Sequence, residues 1–99
     1  MIILMKNVIL AGVCIKDDAK VFQMKMDECI ALCNACQLNV VETITQSANS
    51  MNTISAFRKG KLDELRILVE ELDVDFVVFY NSLSVQMAER ISAVAGCNV

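Results

Sequence analysis

The chain has 99 residues, a net charge of −3 and no histidine. These figures limit it to a single domain, weaken any general affinity for nucleic acid and remove the side chain most used for acid–base catalysis. A 56% hydrophobic content supplies a core, filled mainly by aliphatic side chains because there are only four phenylalanines and one tyrosine, and a domain this small is expected to be moderately stable.

Met1 to Leu4 is apolar, but Lys6 interrupts it and neither a basic start nor a small-residue cleavage site follows, so it does not read as a signal peptide. No stretch approaches the ~18 apolar residues of a membrane span. Val8 to Ile15 is a continuous apolar run, as in a central strand covered on both faces. Gly12 within it points to close approach by a packed helix or a ligand. Lys16-Asp17-Asp18 turns the chain, and either aspartate can cap the helix that follows to about Cys36. Phe22, Met26, Cys29, Ile30, Cys33 and Cys36 form its inner stripe, with Lys20, Lys25, Asp27 and Glu28 mostly outside.

Leu38 to Thr45 is a more polar strand, suited to a sheet edge. Gln46 to Lys59 is a long connection rich in Ser and Asn, without apolar anchors, and is expected to be the most mobile internal segment. Leu62, Leu65, Leu68, Val69 and Leu72 then mark one face of a helix, with Asp63 and Glu64 in its first turn. Phe76 to Tyr80 is a second buried strand. Ser84 caps a last helix whose Ala88, Ile91 and Val94 face inward and which Gly96 closes. Cys97-Asn98-Val99 begins a further strand. The pattern predicts an α/β fold: a small open parallel sheet of about four strands, order 2-1-3-4, with helices on both faces. Residues 1–99 form a single domain, and the chain reads as a piece of something longer.

The five cysteines are odd in number, and three share one expected helix. That is a poor disulfide framework and indicates a reducing, cytoplasmic setting. Cys29-x-x-x-Cys33-x-x-Cys36 has the spacing with which radical enzymes hold an iron–sulfur cluster. On a continuous helix its ends lie ~10 Å apart along the axis, so the expectation is a structural, metal-free cluster of small hydrophobes.

Arg58-Lys59-Gly60-Lys61 is not a nucleotide phosphate loop, because Ser55 and Leu62 stand where that loop needs glycine and a hydroxyl residue. It remains a basic cluster at a helix N-terminus, suited to a phosphate of free nucleotide or of an RNA backbone. Lys16, Gln46 and Asn81 emerge at the same carboxyl edge of the sheet, where ligands bind in open α/β folds. No nucleophile with a base is recognisable, so no catalytic residue is assigned.

Val40-Val41-Glu42-Thr43-Ile44-Thr45-Gln46, Gly60-Lys61-Leu62-Asp63-Glu64-Leu65, Asp75-Phe76-Val77-Val78-Phe79, Leu83-Ser84 and Ala95-Gly96-Cys97-Asn98-Val99 together resemble the N-terminal domain of HflX-type ribosome-associated GTP-binding proteins. The resemblance is weak before Leu38 and good after it. Departures are Arg58 and Gln37 where the family usually has glycine, Asn81 where an acid is common, Val85 where proline is common, and a loop without the usual Arg-Asp-x-Pro character.

The resemblance implies a non-catalytic domain that contributes to binding the large ribosomal subunit and its RNA, and to ribosome dissociation. It implies GTP and magnesium only in a G domain beyond Val99, with no cofactor here. The other reading is a small-molecule or nucleotide-binding regulatory domain using the same strand edge, with weak nucleotide binding. Neither reading involves a membrane.

Overall fold

The computed structural model describes residues 5–16, 18–49 and 56–99. Its first strand, β1 (Lys6–Ile15), is the centre of a three-stranded parallel sheet of order β2-β1-β3, with β2 at Leu38–Ala48 and β3 at Phe76–Phe79. Val8, Ile9, Leu10, Ala11 and Val13 are at most 1% exposed, as expected for an aliphatic strand with layers on both sides. Three helices provide those layers: α1 (Ala19–Ala35), α2 (Lys59–Leu72) and α3 (Val85–Ala95).

Side chains alternate along β1 and so divide the core in two. Ile9, Ala11 and Val13 face Leu62, Leu65 and Val69 of α2 and Met87, Ile91 and Ala95 of α3. Leu10 and Cys14 face Phe22 and Met26 of α1, which covers the opposite side alone. β2 is an edge strand, as its polarity implies, and Val41 is a bulge where the register slips between Val8 and Ile9.

The sheet has three strands rather than about four. The expected fourth is a single parallel bridge, Asn98 to Phe76, in which the Val77 N–H donates to the Asn98 carbonyl at 2.9 Å. β3 is thus central only at that point and is otherwise an edge. Three residues assigned inward are also corrected. Cys36 is the exposed C-cap of α1, Leu72 in the last turn of α2 is 37% exposed, and Met87 rather than Ala88 is the buried residue in the first turn of α3.

The helix ends follow local chemistry. Asp18 caps α1 by accepting from the Lys20 N–H at 2.7 Å, and Ser84 caps α3 by accepting from the Met87 N–H at 3.1 Å. Gly96 ends α3 in the left-handed region at φ 79. Gln37 occupies the same region at φ 62 just after α1, where a residue without a Cβ fits more easily.

Gly12 marks the tightest approach between β1 and α1. A Cβ there would lie 3.1 Å from the Tyr80 Cβ, 3.2 Å from the Met26 Sδ and 3.3 Å from the Phe22 Cζ. Phe22 and Tyr80 are themselves locked edge to face, with ring centroids 5.4 Å apart. Gly12→Ala should therefore lower stability by about 1–3 kcal/mol through overpacking. The check is the urea midpoint, and an unchanged midpoint would show that α1 yields freely.

Candidate functional site at the strand ends

The carboxyl ends of β1 and β2, the start of α1 and the start of α2 converge on one edge of the sheet. β1 ends at Lys16, which adopts φ 53 and donates its N–H to the Ala48 carbonyl at 3.2 Å. Beside it is a hollow of about 340 Å³, lined by Cys14, Lys16, Ser47, Asn49 and Arg58 among others. Two cations separated by 42 positions in the chain (58 minus 16) are thus brought to one hollow by the topology.

Gln46 lies in β2, is 9% exposed, and accepts the Arg58 N–H on its Oε1 at 3.0 Å. Its side chain therefore fixes the entry to α2. Ala56 and Phe57 are fully buried, and the Phe57 ring lies 5.2 Å from that of Phe79. These two residues are apolar anchors that the sequence reading of Gln46 to Lys59 did not recognise. Of the segment Gln46 to Lys59 that was expected to be mobile, residues 50–55 lie outside the described residues.

Arg58 is the N-cap of α2, with extended backbone and no side-chain capping bond. Its carbonyl accepts the N–H groups of Lys61 and Leu62, each at 3.0 Å. The N–H groups of exposed Lys59 and Gly60 have no acceptor among the described residues. The helix begins at Lys59, so its first turn holds Lys59, Gly60 and Lys61 and no acid. Asp63 and Glu64, expected in that turn, fall in the next one. Glu64 reaches back to the Lys61 ammonium at 3.0 Å, a pair exposed enough to be weak. Gly60 and Lys61 are helical and do not form a loop that could wrap a nucleotide's phosphates.

Asn81 is placed differently from the cations. Its Oδ1 accepts the Val13 N–H at 2.7 Å, and its Nδ2 donates to the Val13 carbonyl at 3.0 Å. Both amide functions extend the pairing of β1 beyond the end of β3. Among the residues singled out from sequence, Lys16 and Arg58 therefore share the hollow, Lys59, Gly60 and Lys61 form the adjacent helix start, and Gln46 and Asn81 hold the scaffold.

α1 runs through Cys29 and Cys33 as one continuous helix. The five cysteines form no disulfide, and among the described residues no group of three or more ligating side chains is placed to hold a metal ion. Burial pushes the Cys33 thiol above its ordinary range, with Cys29 and Cys36 adding to the shift, and burial raises Cys97 as well. A raised folded-state value means that the native protein keeps its thiol proton longer. That stability is complete below the unfolded value of about 8.5 and is lost as pH rises through the folded one. Urea midpoints should therefore fall above about pH 8.5, and fall less steeply in Cys33→Ala, a variant that costs about 1 kcal/mol at neutral pH through a small cavity. Parallel pH profiles would remove Cys33 as the source.

Comparison with known proteins gives the class. Residues 23–99 match the family described as GTP-binding GTPase N-terminal. The chain is 30% identical over 94 residues to the GTPase HflX of Alkalihalophilus pseudofirmus (strain OF4), covering 95% of this chain and 22% of that protein. A small parallel α/β domain with a cationic strand edge is thus an N-terminal module, and it spans about a fifth of the length of that relative. The chain belongs to the GTP-binding GTPase N-terminal family and is of the HflX type.

The two scaffold amides generate a further test. Removing the Gln46 acceptor leaves the Arg58 N–H without its partner, and Asn81→Ala does the same to two backbone groups of β1. Gln46→Ala should cost about 1–2 kcal/mol and Asn81→Ala about 1–3 kcal/mol. Chemical denaturation measures both, and losses within about 0.5 kcal/mol, the range of an ordinary surface change, would place these amides outside the scaffold.

Proposed function

We propose that this chain is a non-catalytic N-terminal domain of a cytoplasmic GTPase, and that it contributes to binding the large ribosomal subunit and its RNA and to ribosome dissociation. GTP and magnesium belong to a G domain of the full protein, which is itself a partner of this domain. Family membership supports the GTPase setting. No helix among the described residues is long and apolar enough to cross a membrane.

The observation that carries the RNA reading is the start of α2. Arg58, Lys59 and Lys61 stand at the positive end of a helix dipole in a chain of net charge −3. The first turn holds no acid, and two of its N–H groups have no acceptor among the described residues. Cations there oppose the dipole, and a bound phosphate reverses the sign of the interaction. Lys16 adds a second cation across the hollow from Arg58.

A second reading has its own support. The hollow of about 340 Å³ between Lys16 and Arg58 has room for more than a single phosphate group. On this reading the domain takes a small phosphorylated ligand, such as a nucleotide, as a regulator.

The experiment is binding of the full-length protein to purified large subunits over a salt series, with nucleotide titration in parallel. Removing one phosphate-binding side chain should reduce the slope of log affinity against log salt by about 1. Arg58→Ala should show this most clearly, and the combined change of Lys16, Arg58, Lys59 and Lys61 to Ala should weaken binding further. Unchanged affinity and slope in the combined variant would exclude this edge as the RNA-binding surface. Nucleotide binding that is abolished in the Lys16 and Arg58 variants, without any effect on subunit binding, would favour the second reading.

A further inference from the structure

α1 presents a second face, flanking the stripe that packs on the sheet, whose arrangement is self-complementary. Val21 and Leu32 are exposed there to 44% and 66%. The helix packs on β1 and β2 through that stripe. Val21, Lys25, Glu28 and Leu32 follow one another at intervals of four, three and four residues. At ~3.6 residues per turn these four fall within about 60° of one another, the seam of a helix that pairs along its length.

The seam is symmetric about the point between Met26 and Asp27. Reversing the helix there places Val21 against Leu32 and Lys25 against Glu28. Apolar residues meet at the ends and opposite charges meet beside the centre, twice over. The ion pairs among the described residues are Lys61–Glu64 and Arg66–Glu70, so neither Lys25 nor Glu28 is engaged in one. A pair within α1 would also run Lys before Glu, the weaker order on a helix.

We propose that the outward face of α1 binds α1 of a second copy of this chain in antiparallel register about a two-fold axis, with Lys25 of each copy opposite Glu28 of the other. Charge complementarity selects this occupant, since one surface patch supplies both halves of the interface, as an isologous dimer requires. The two helix dipoles run in opposition, which favours the pairing. One helix about 25 Å long buries less than the ~800 Å² per partner of a standard interface. The dimer is accordingly weak, with dissociation expected at about 10 μM to 1 mM.

Sedimentation of the purified protein over that range tests the proposal, with circular dichroism confirming that each variant is folded. The wild type should pass from monomer to dimer, and Leu32→Glu should weaken association by about tenfold or more. Lys25→Glu and Glu28→Lys should each weaken it, because each sets like charges across the axis. An equimolar mixture of those two variants should restore association, since every facing pair is again of opposite charge. Three outcomes overturn the proposal: a wild-type monomer throughout, with the face instead covered by another part of a longer protein; a dimer indifferent to Leu32→Glu; or charge variants that do not rescue one another.

Discussion

A strand buried on both faces must have every backbone amide paired within the protein, and this requirement on β1 governs the molecule. β2 meets it along the whole of Lys6–Ile15, whereas β3 pairs only from Val8 to Ala11. The Tyr80 N–H donates to the Ala11 carbonyl at 2.7 Å, and the Asn81 side chain then serves both the N–H and the carbonyl of Val13. One side chain thus stands in for the missing end of a strand. Because Asn81 is held there, the turn to Ser84 and the start of α3 are placed as well. The wall behind Phe57 and Phe79 forms at the same end of the sheet.

The two faces of the sheet are unequal. α2 and α3 pack against each other and against Ile9, Ala11 and Val13, enclosing the larger cluster. α1 alone encloses the smaller one, and there the fit is closest, with Gly12 admitting Phe22, Met26 and Tyr80. Packing on so narrow a strip leaves much of the surface of α1 uncovered. Its mixture of apolar and charged residues outside the inner stripe follows from that position.

The elements were legible where one physical rule dominated. The apolar runs in β1 and β3, the stripes of α1 and α2, and the caps Ser84 and Gly96 follow directly from periodicity and local chemistry. What escaped depended on partners distant in sequence. Gln46 and Asn81 are polar residues near strand ends and read as surface groups, but their amides bond to Arg58 and Val13, 12 and 68 positions away. Phe57 sits in a largely polar stretch of sequence, and only the fold brings Phe79 to it. Gln37 and Ala56 take positive φ without being glycine, so no residue type announced those turns. The pairing of Lys16 with Arg58 required the strand order. The fourth strand was overestimated because three residues read as an element but form one bridge.

The three helices begin in different ways, and the contrast bears on function. α1 and α3 start with Asp18 and Ser84, each bonding a backbone N–H in its own first turn. α2 starts with Arg58, which has no capping side chain, followed by Lys59 and Lys61. A helix start that served the fold alone would favour an acid or hydroxyl at these positions, each worth about 0.5–2 kcal/mol as a cap and less as a dipole partner. Here the fold tolerates the unfavourable choice because Leu62, Leu65 and Val69 bury α2 against the sheet and Gln46 anchors its entry from β2. Stability is thus supplied along the length of α2 and from a neighbouring strand, leaving the helix terminus with exposed cations and N–H groups that have no protein acceptor among the described residues. On the proposed reading an anionic partner is the chemical complement of that arrangement, and Lys16, delivered by β1 to the same hollow, would enlarge the surface available to it.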